Sequence, residues 1–176
     1  MVRETRPNVP GLWAGLDETK LEMKLIVPHT QAMRPIVPEV LERVLGLKPD
    51  YRFIDGDQDY FYLMENLWHE QEDVIIVEHD VLPWPGAIEE LAQCPYPWCS
   101  CSYKIGLSQT GKAGYGAYHT FGCTKFSSHF MGLLPYVWQQ VESRHWRHLD
   151  AQLSTQAIAI GQTPHPHRPS VLHLHE

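Results

Sequence analysis

DVIIVEHDVLPWPGAIEELAQC, residues 73 to 94, places four β-branched aliphatics, Val74 to Val77, directly before Glu78-His79-Asp80 and a proline-rich turn. An unbroken Val-Ile-Ile-Val run is the pattern of a strand covered on both faces, as in a parallel sheet between helices. Glu78 and Asp80 are two apart, so at the strand end their side chains point to the same side. Two such carboxylates repel each other unless a cation or a shared proton lies between them. A divalent cation answers that repulsion.

Working outward, LEMKLIVPHT (21–30) reads as a strand stopping at Pro28, and RPIVPEVLERVLGL as a helix with Val37, Val40, Leu41 and Val44 inward and Gly46 ending it. YRFIDGD (51–57) is a second strand running into an Asp-Gly turn, and DYFYLMENLWHEQ a helix with Tyr60, Leu63, Met64 and Leu67 inward. After the strand at 74–78 comes the helix PGAIEELAQC, with Pro85 near its first turn, and then a fourth strand at 97–104. This alternation predicts an α/β fold with a mostly parallel, Rossmann-like sheet flanked by helices. Ligands of such sheets bind at the carboxyl ends of the strands, where PHT, DGD and EHD all fall.

Residues 1–20 read as an irregular arm, and 21–176 as a single domain. Beyond residue 104, GLSQTGKAGYGAYHTFGCTKF suggests a long loop or a small sheet at the site. SSHFMGLLPYVWQQVES follows as a helix interrupted at Pro135, and RHLDAQLSTQAIAIG as a helix with Leu149, Leu153, Ala157 and Ile160 inward and Gly161 as its cap. HPHRPSVLHLHE closes the chain as an extended piece.

Length and composition exclude several classes. At 176 residues with 43% hydrophobic and 20% charged residues, the chain is globular. No apolar run reaches the ~18 residues that span a bilayer, and the N-terminal stretch lacks the apolar segment of a secretory signal. The expected setting is therefore cytoplasmic. A net charge of −7 argues against a protein that coats bare nucleic acid, though not against an enzyme touching DNA through one local patch. Cys94, Cys99, Cys101 and Cys123 match neither a Cys-x-x-Cys pair nor a zinc ribbon, so plain reduced thiols are expected, with a structural zinc as the lesser reading.

GLSQTGK (106–112) imitates a phosphate-binding loop as far as its lysine. Ala113 then stands where a magnesium-binding hydroxyl is needed, which excludes it. His173 and His175 alternate, as do His165 and His167, so each pair shares a strand face. His165 and His167 read as surface histidines or ligands alike. His173, following the apolar Ser-Val-Leu, is the preferred extra metal ligand and His175 the second choice. Asp150 in HWRHLDAQL is either a helix-start carboxylate or a general base. Arg144, Trp146, Arg147 and His148 form a dense cationic-aromatic patch suited to a diphosphate or a DNA backbone.

With these residues in hand, the chain from about residue 21 onward resembles a small glycosyltransferase of the GT-A fold. EHD stands where that superfamily carries its Asp-x-Asp motif, HLD where it often carries an acidic catalytic motif, and a late histidine can join the metal. VIIVEHDVLPWPGAIEELAQCPYPWC, FGCTKFS and PSVLHLH resemble phage glycosyltransferase-like proteins associated with TET-like oxygenases. Two departures stand out: Glu78 replaces the first aspartate, and the chain is short, leaving a minimal acceptor half that DNA, a partner or a second copy would have to complete.

The resemblance implies transfer of a sugar from a nucleotide sugar, UDP-linked by preference, to a hydroxyl such as that of 5-hydroxymethylcytosine in phage DNA within an infected host. Mn2+ or Mg2+ would be held by Asp80, Glu78 and His173. Pro28, His29, Thr30, Asp55 and Asp57, with Glu78, would line the nucleoside pocket. Asp150 would activate the acceptor if the reaction inverts. The competing readings are a small-molecule or protein acceptor, a phosphohydrolase, and a non-catalytic nucleotide- or zinc-binding module.

Overall fold

The computed structural model describes residues 23–101, 121–167 and 171–174. The arm at 1–20, the lysine-bearing stretch at 106–112 and His175 lie outside them.

The buried aliphatic run forms β3 (Val74–Val77), with every residue at most 1% exposed. It pairs in parallel with β1 (Lys24–His29), which pairs in parallel with β2 (Asp50–Phe53). On its other side β3 meets β6 (Cys123–Phe126), which is antiparallel and lies between β3 and β5 (Trp98–Cys101). The edge strand β7 (His165–His167) pairs in parallel with β5, giving the order β2-β1-β3-β6-β5-β7. Five strands therefore point one way and β6 opposes them. The expected fourth strand, β5, does share the direction of the first three, but it is not their neighbour. A second, two-stranded sheet joins β4 (Val81–Pro83) to β8 (Val171–His173).

Alternation along the strands sorts side chains into two layers. Ile26, Val74, Ile76, Trp98 and Phe126 face α2 (Asp59–Glu70), α4 (Ser128–Leu133) and α5 (Trp146–Ala159). That layer is aromatic: Trp68, Trp98 and Phe130 all lie within 6.2 Å of the Phe126 ring, centroid to centroid. A Phe126→Ala change is expected to cost ~3–5 kcal/mol in chemical denaturation. Leu25, Val27, Ile75, Val77, Cys99, Cys101 and Cys123 face the opposite side. There they pack under α1 (Ile36–Pro38), its π-helical continuation (Glu39–Val44) and α3 (Ala87–Gln93).

Several sequence expectations shift for local reasons. β1 runs through Pro28 instead of stopping there. The carbonyl of His29 accepts from the Ile54 N–H on the β2 side, so the missing N–H of Pro28 faces the other side, where pairing with β3 has already ended. The first helix becomes a π turn after Pro38, with Leu45 donating to the Val40 carbonyl five residues back. The wider turn swings Val44 out to 53% exposure, while Val37 and Leu41 stay buried and Gly46, at φ +66°, ends the element. The last helix begins at Trp146, so Asp150 lies in its second turn, and Ile160 falls past its end, exposed. The break at Pro135 occurs as expected, between α4 and a single 3-10 turn at Val137–Gln139.

Candidate functional site

Three loop starts meet at the carboxyl ends of β1, β2 and β3. Pro28-His29-Thr30, Ile54-Asp55-Gly56-Asp57 and Glu78-His79-Asp80 line one cavity of about 380 Å³, with Tyr60 and Trp146 completing its wall. A second cavity of about 410 Å³ is lined by Tyr60, Glu78, Asp80, Phe121, Trp146, Arg147, Asp150 and His173. Tyr60, Glu78, Asp80 and Trp146 belong to both, so these are two lobes of one cleft. The combined size suits a ligand larger than a single small metabolite.

Each element reaches the cleft for a definable reason. The Asp-Gly turn after β2 is closed by Asp59, whose Oδ2 accepts from the Asp55 and Gly56 N–H groups at 3.0 and 2.8 Å. The Asp57 carbonyl accepts from the Trp146 N–H at 3.1 Å, and its carboxylate lies 3.5 Å from His145 Nε2. These contacts pin the start of α5 over the strand ends and bring Trp146 to the cleft.

Glu78-His79-Asp80 forms a tight turn in which the Glu78 carbonyl accepts from Val81 N–H at 3.0 Å. That turn reverses the chain into β4, and β4 pairs Val81 with His173 on β8. Leu174 N–H donates to the Asp80 carbonyl at 2.6 Å, and His173 Nε2 stands 3.3 Å from Asp80 Oδ2. Residues nearly a hundred positions apart thereby share one lobe.

The electrostatics follow from crowding acids into a recess. Burial pushes the Glu78 carboxyl up to about 7, the nearby Asp80 adding to the effect and Asp150 adding less. Tyr60 opposes this by donating its hydroxyl to Glu78 Oε1 at 3.0 Å, a bond that favours the anion. Asp150 is also raised, chiefly by burial, against the Ala151 N–H that donates to its Oδ1 at 2.7 Å. Carboxyls whose ionisation is disfavoured by burial are common in sites that hold cations or move protons.

The donors available to a cation here are carboxylate oxygens and one imidazole, a set that fits Mg2+ or Mn2+. Among the described residues the cleft carboxylates do not form a group of three or more ligating side chains with all donor atoms within 4.8 Å of one another. Among the described residues, the group of metal-ligating side chains whose donor atoms all lie within 4.8 Å of one another is a different one, Cys94, Cys99, His165 and His167. That thiol-imidazole cluster could hold a divalent metal. Sequence reading gave it too little weight because its ligands come from a helix end and two strands rather than from one motif.

Of the basic-aromatic patch, Trp146 and Arg147 line the cleft, the guanidinium of Arg147 lying 5.1 Å from the Trp146 ring centre. Arg144 lies instead over Phe61, at 4.6 Å, and His148 Nδ1 contacts Ser143 Oγ at 3.1 Å. Tyr60 was expected only as a core residue. Its place in the first turn of α2, one step from the strand ends, was the available signal. Phe121 and His79 were likewise not singled out.

No protein-family model and no curated protein matches the sequence. Among solved structures, a putative glucose-1-phosphate thymidylyltransferase from Bacillus anthracis, crystallised with sucrose, is similar over 85% of this chain and 88% of its own, at 10% identity and a TM-score of 0.51. A glycosyltransferase involved in glycosylation of the major capsid of PBCV-1 is similar over 82% of this chain and 81% of its own, at 9% identity and a TM-score of 0.48. At 10% identity the likeness to the Bacillus anthracis structure is one of fold alone. The strand order and layering are consistent with a GT-A-like Rossmann fold at a coarse level. Among the described residues no helix is long and apolar enough to cross a membrane.

Proposed function

We propose that this protein is a metal-dependent glycosyltransferase, moving a sugar from a nucleotide sugar, UDP-linked by preference, to a hydroxyl acceptor. The observation that carries the reading is the two-lobed cleft hinged on Glu78 and Asp80. One lobe lies against the ends of β1 and β2 and takes the nucleoside, between Pro28-His29-Thr30 and the Asp55-Gly56-Asp57 turn. The other holds Asp150 and takes the acceptor.

Asp80 and His173, with Glu78, would hold Mn2+ or Mg2+ where the diphosphate enters. When bound, the cation supplies Lewis-acid stabilisation of charge on the departing nucleotide. Asp150, kept partly buried, takes the proton from the acceptor hydroxyl as the sugar is transferred with inversion. Tyr60 holds the Glu78 carboxylate in place, and Trp146 lines both lobes where they join.

The acceptor we favour is a hydroxymethylated pyrimidine, such as 5-hydroxymethylcytosine in phage DNA, with the host cytoplasm as the setting. Trp146, 46% exposed, and Arg147 at the acceptor lobe support it, since a ring and a guanidinium suit an unstacked base beside a phosphate. With a net charge of −7, DNA binding should be weak and steeply salt-dependent. An affinity unchanged between low and physiological salt would shift the acceptor to a small molecule or a protein.

The deciding experiment is calorimetric titration of UDP, with and without Mn2+, on the wild type and on Asp80→Ala. Metal-dependent binding lost in the variant supports the reading. Absence of binding by any nucleoside diphosphate to folded, metal-supplied protein removes it. Transfer of the nucleotide itself onto a sugar phosphate is the alternative chemistry in this cleft, and it would be distinguished by release of pyrophosphate.

A further inference from the structure

On the opposite edge of the sheet, Cys94 at the end of α3 meets Cys99 on β5 and His165 and His167 on β7. Cys99 and His165 are in-register partners of adjacent parallel strands, as are Cys101 and His167. Alternation then puts Cys99, His165 and His167 on one face, above which the end of α3 delivers Cys94. Cys99 and His167 are buried, and Cys94 and His165 half-buried.

The spacing of the donors is informative. His165 Nδ1 lies 3.4 Å from His167 Nε2 and 3.5 Å from Cys94 Sγ. One ring nitrogen carries at most one proton, so both contacts cannot be donated from it, and at 3.4 Å the nitrogen pair is long for a hydrogen bond. The edges of a zinc tetrahedron are ~3.3–3.4 Å between two nitrogens and ~3.5–3.6 Å between nitrogen and sulfur, from Zn–N ~2.0–2.1 Å and Zn–S ~2.3 Å. These two separations match such edges, and all four donor atoms lie within 4.8 Å of one another.

The surroundings match as well. His167 directs its other nitrogen, Nδ1, to Glu90 Oε1 at 3.1 Å, the carboxylate partner that fixes a ligating histidine's tautomer. Tyr96 stacks on His165 at 4.2 Å and 7°, which fixes the plane of that ring. The buried ammonium of Lys125 donates to the Cys94 carbonyl, placing a positive charge beside the thiols.

We propose that Cys94, Cys99, His165 and His167 form a structural Cys2His2 zinc site that clamps the edge strand β7 to β5 and α3. Binding releases the two thiol protons, and two thiolates neutralise the zinc, so the completed site carries no net charge into the interior. Soft sulfur donors and a closed four-ligand set select zinc over the hard cations suited to the carboxylate cleft. Among the described residues β7 spans three positions and its pairing is with β5, so this short described edge gains from a clamp. The site is independent of what the cleft does.

The test uses the whole reduced protein and zinc alone as probe. Metal analysis after purification without chelators, and after reconstitution with zinc, is expected to give one zinc per chain. Cobalt in its place is expected to give the charge-transfer and visible bands of a tetrahedral thiolate complex. Cys94→Ser and His165→Ala, at half-buried positions that tolerate change, should bring zinc content near zero, whereas Asp80→Asn should leave it at one. Glu90→Gln should weaken zinc affinity ~10–100-fold with the stoichiometry kept. Folded wild type that takes up no zinc, or zinc that persists in both Cys94→Ser and His165→Ala, overturns the proposal.

Discussion

Two constellations of this molecule both draw histidines from residues 165–173, one in the cleft and two in the edge cluster, yet they are built from opposite chemistry. The cleft gathers oxygen donors at the carboxyl ends of the parallel strands, open to solvent and crowded with negative charge. The edge cluster gathers sulfur and imidazole beneath a helix end, mostly buried, with a lysine rather than an acid beside its thiols. The difference separates two tasks. Exchangeable ligands need hard, partly hydrated donors and an open side. A permanent clamp needs soft donors and closure.

The largest expected effect is a double dissociation. Asp80→Asn should lower Mn2+-dependent UDP affinity by at least ~100-fold, consistent with loss of a charged contact to the cation. It should leave the melting temperature of the metal-free protein almost unchanged, as read by calorimetry and thermal melts. Removal of zinc by a strong chelator, itself dialysed away before Mn2+ and UDP are added, should do the reverse, lowering the melting temperature and leaving Mn2+-dependent UDP affinity in the folded protein nearly unchanged. If both treatments moved both readouts equally, the two regions would be one coupled unit.

Next comes Asp150→Asn, expected to slow sugar transfer by ~10²–10⁴-fold while UDP affinity stays within about twofold. Progress curves at saturating donor measure it. Retained turnover would indicate a retaining mechanism in which Asp150 has no proton to take.

A smaller effect concerns pH. Glu78 holds its proton up to about 7 in the folded protein, against 4.5 ordinarily. Between those values the folded state carries the proton and the unfolded state does not, so stability of the metal-free protein falls as pH rises through that window. Cation binding needs the anion, so Mn2+ affinity should drop by up to ~tenfold for each unit below 7. Glu78→Gln should flatten both profiles. Smallest of all, Tyr60→Phe removes the hydroxyl that favours the Glu78 anion and should move the midpoint of the Mn2+ profile upward, by well under ~1 kcal/mol in affinity at pH 8.

How much of this the chain discloses depends on whether the information is local. The Val74–Val77 run announces a doubly covered strand because burial on both faces favours an unbroken apolar run. The three carboxyl-terminal loops follow from the alternation of strands and helices. Pro28 misled because a proline's effect depends on which neighbour its missing N–H would have faced, and that is a property of the sheet. β6 falls in a stretch whose pattern leaves a loop and a small sheet both open, because its four residues, Cys-Thr-Lys-Phe, carry neither an apolar run nor clean alternation. Lys125 is buried there through its bond to the Cys94 carbonyl, which no local pattern signals. The cysteine-histidine cluster was illegible for the same reason: its spacing is set by strand register between β5 and β7.

The placement of β6 has a consequence for how the chain reaches this state. Among the described residues β5 joins β3 through β6, so the β2-β1-β3 block must wait for a strand encoded more than forty residues after β3. Until β6 arrives, Val-Ile-Ile-Val presents an unpaired, uncharged edge, the kind of template on which chains pair with one another. Refolding yield should therefore fall steeply with protein concentration. A charge that weakens β6 pairing would show itself first as inclusion bodies, before any loss of activity in the molecules that fold.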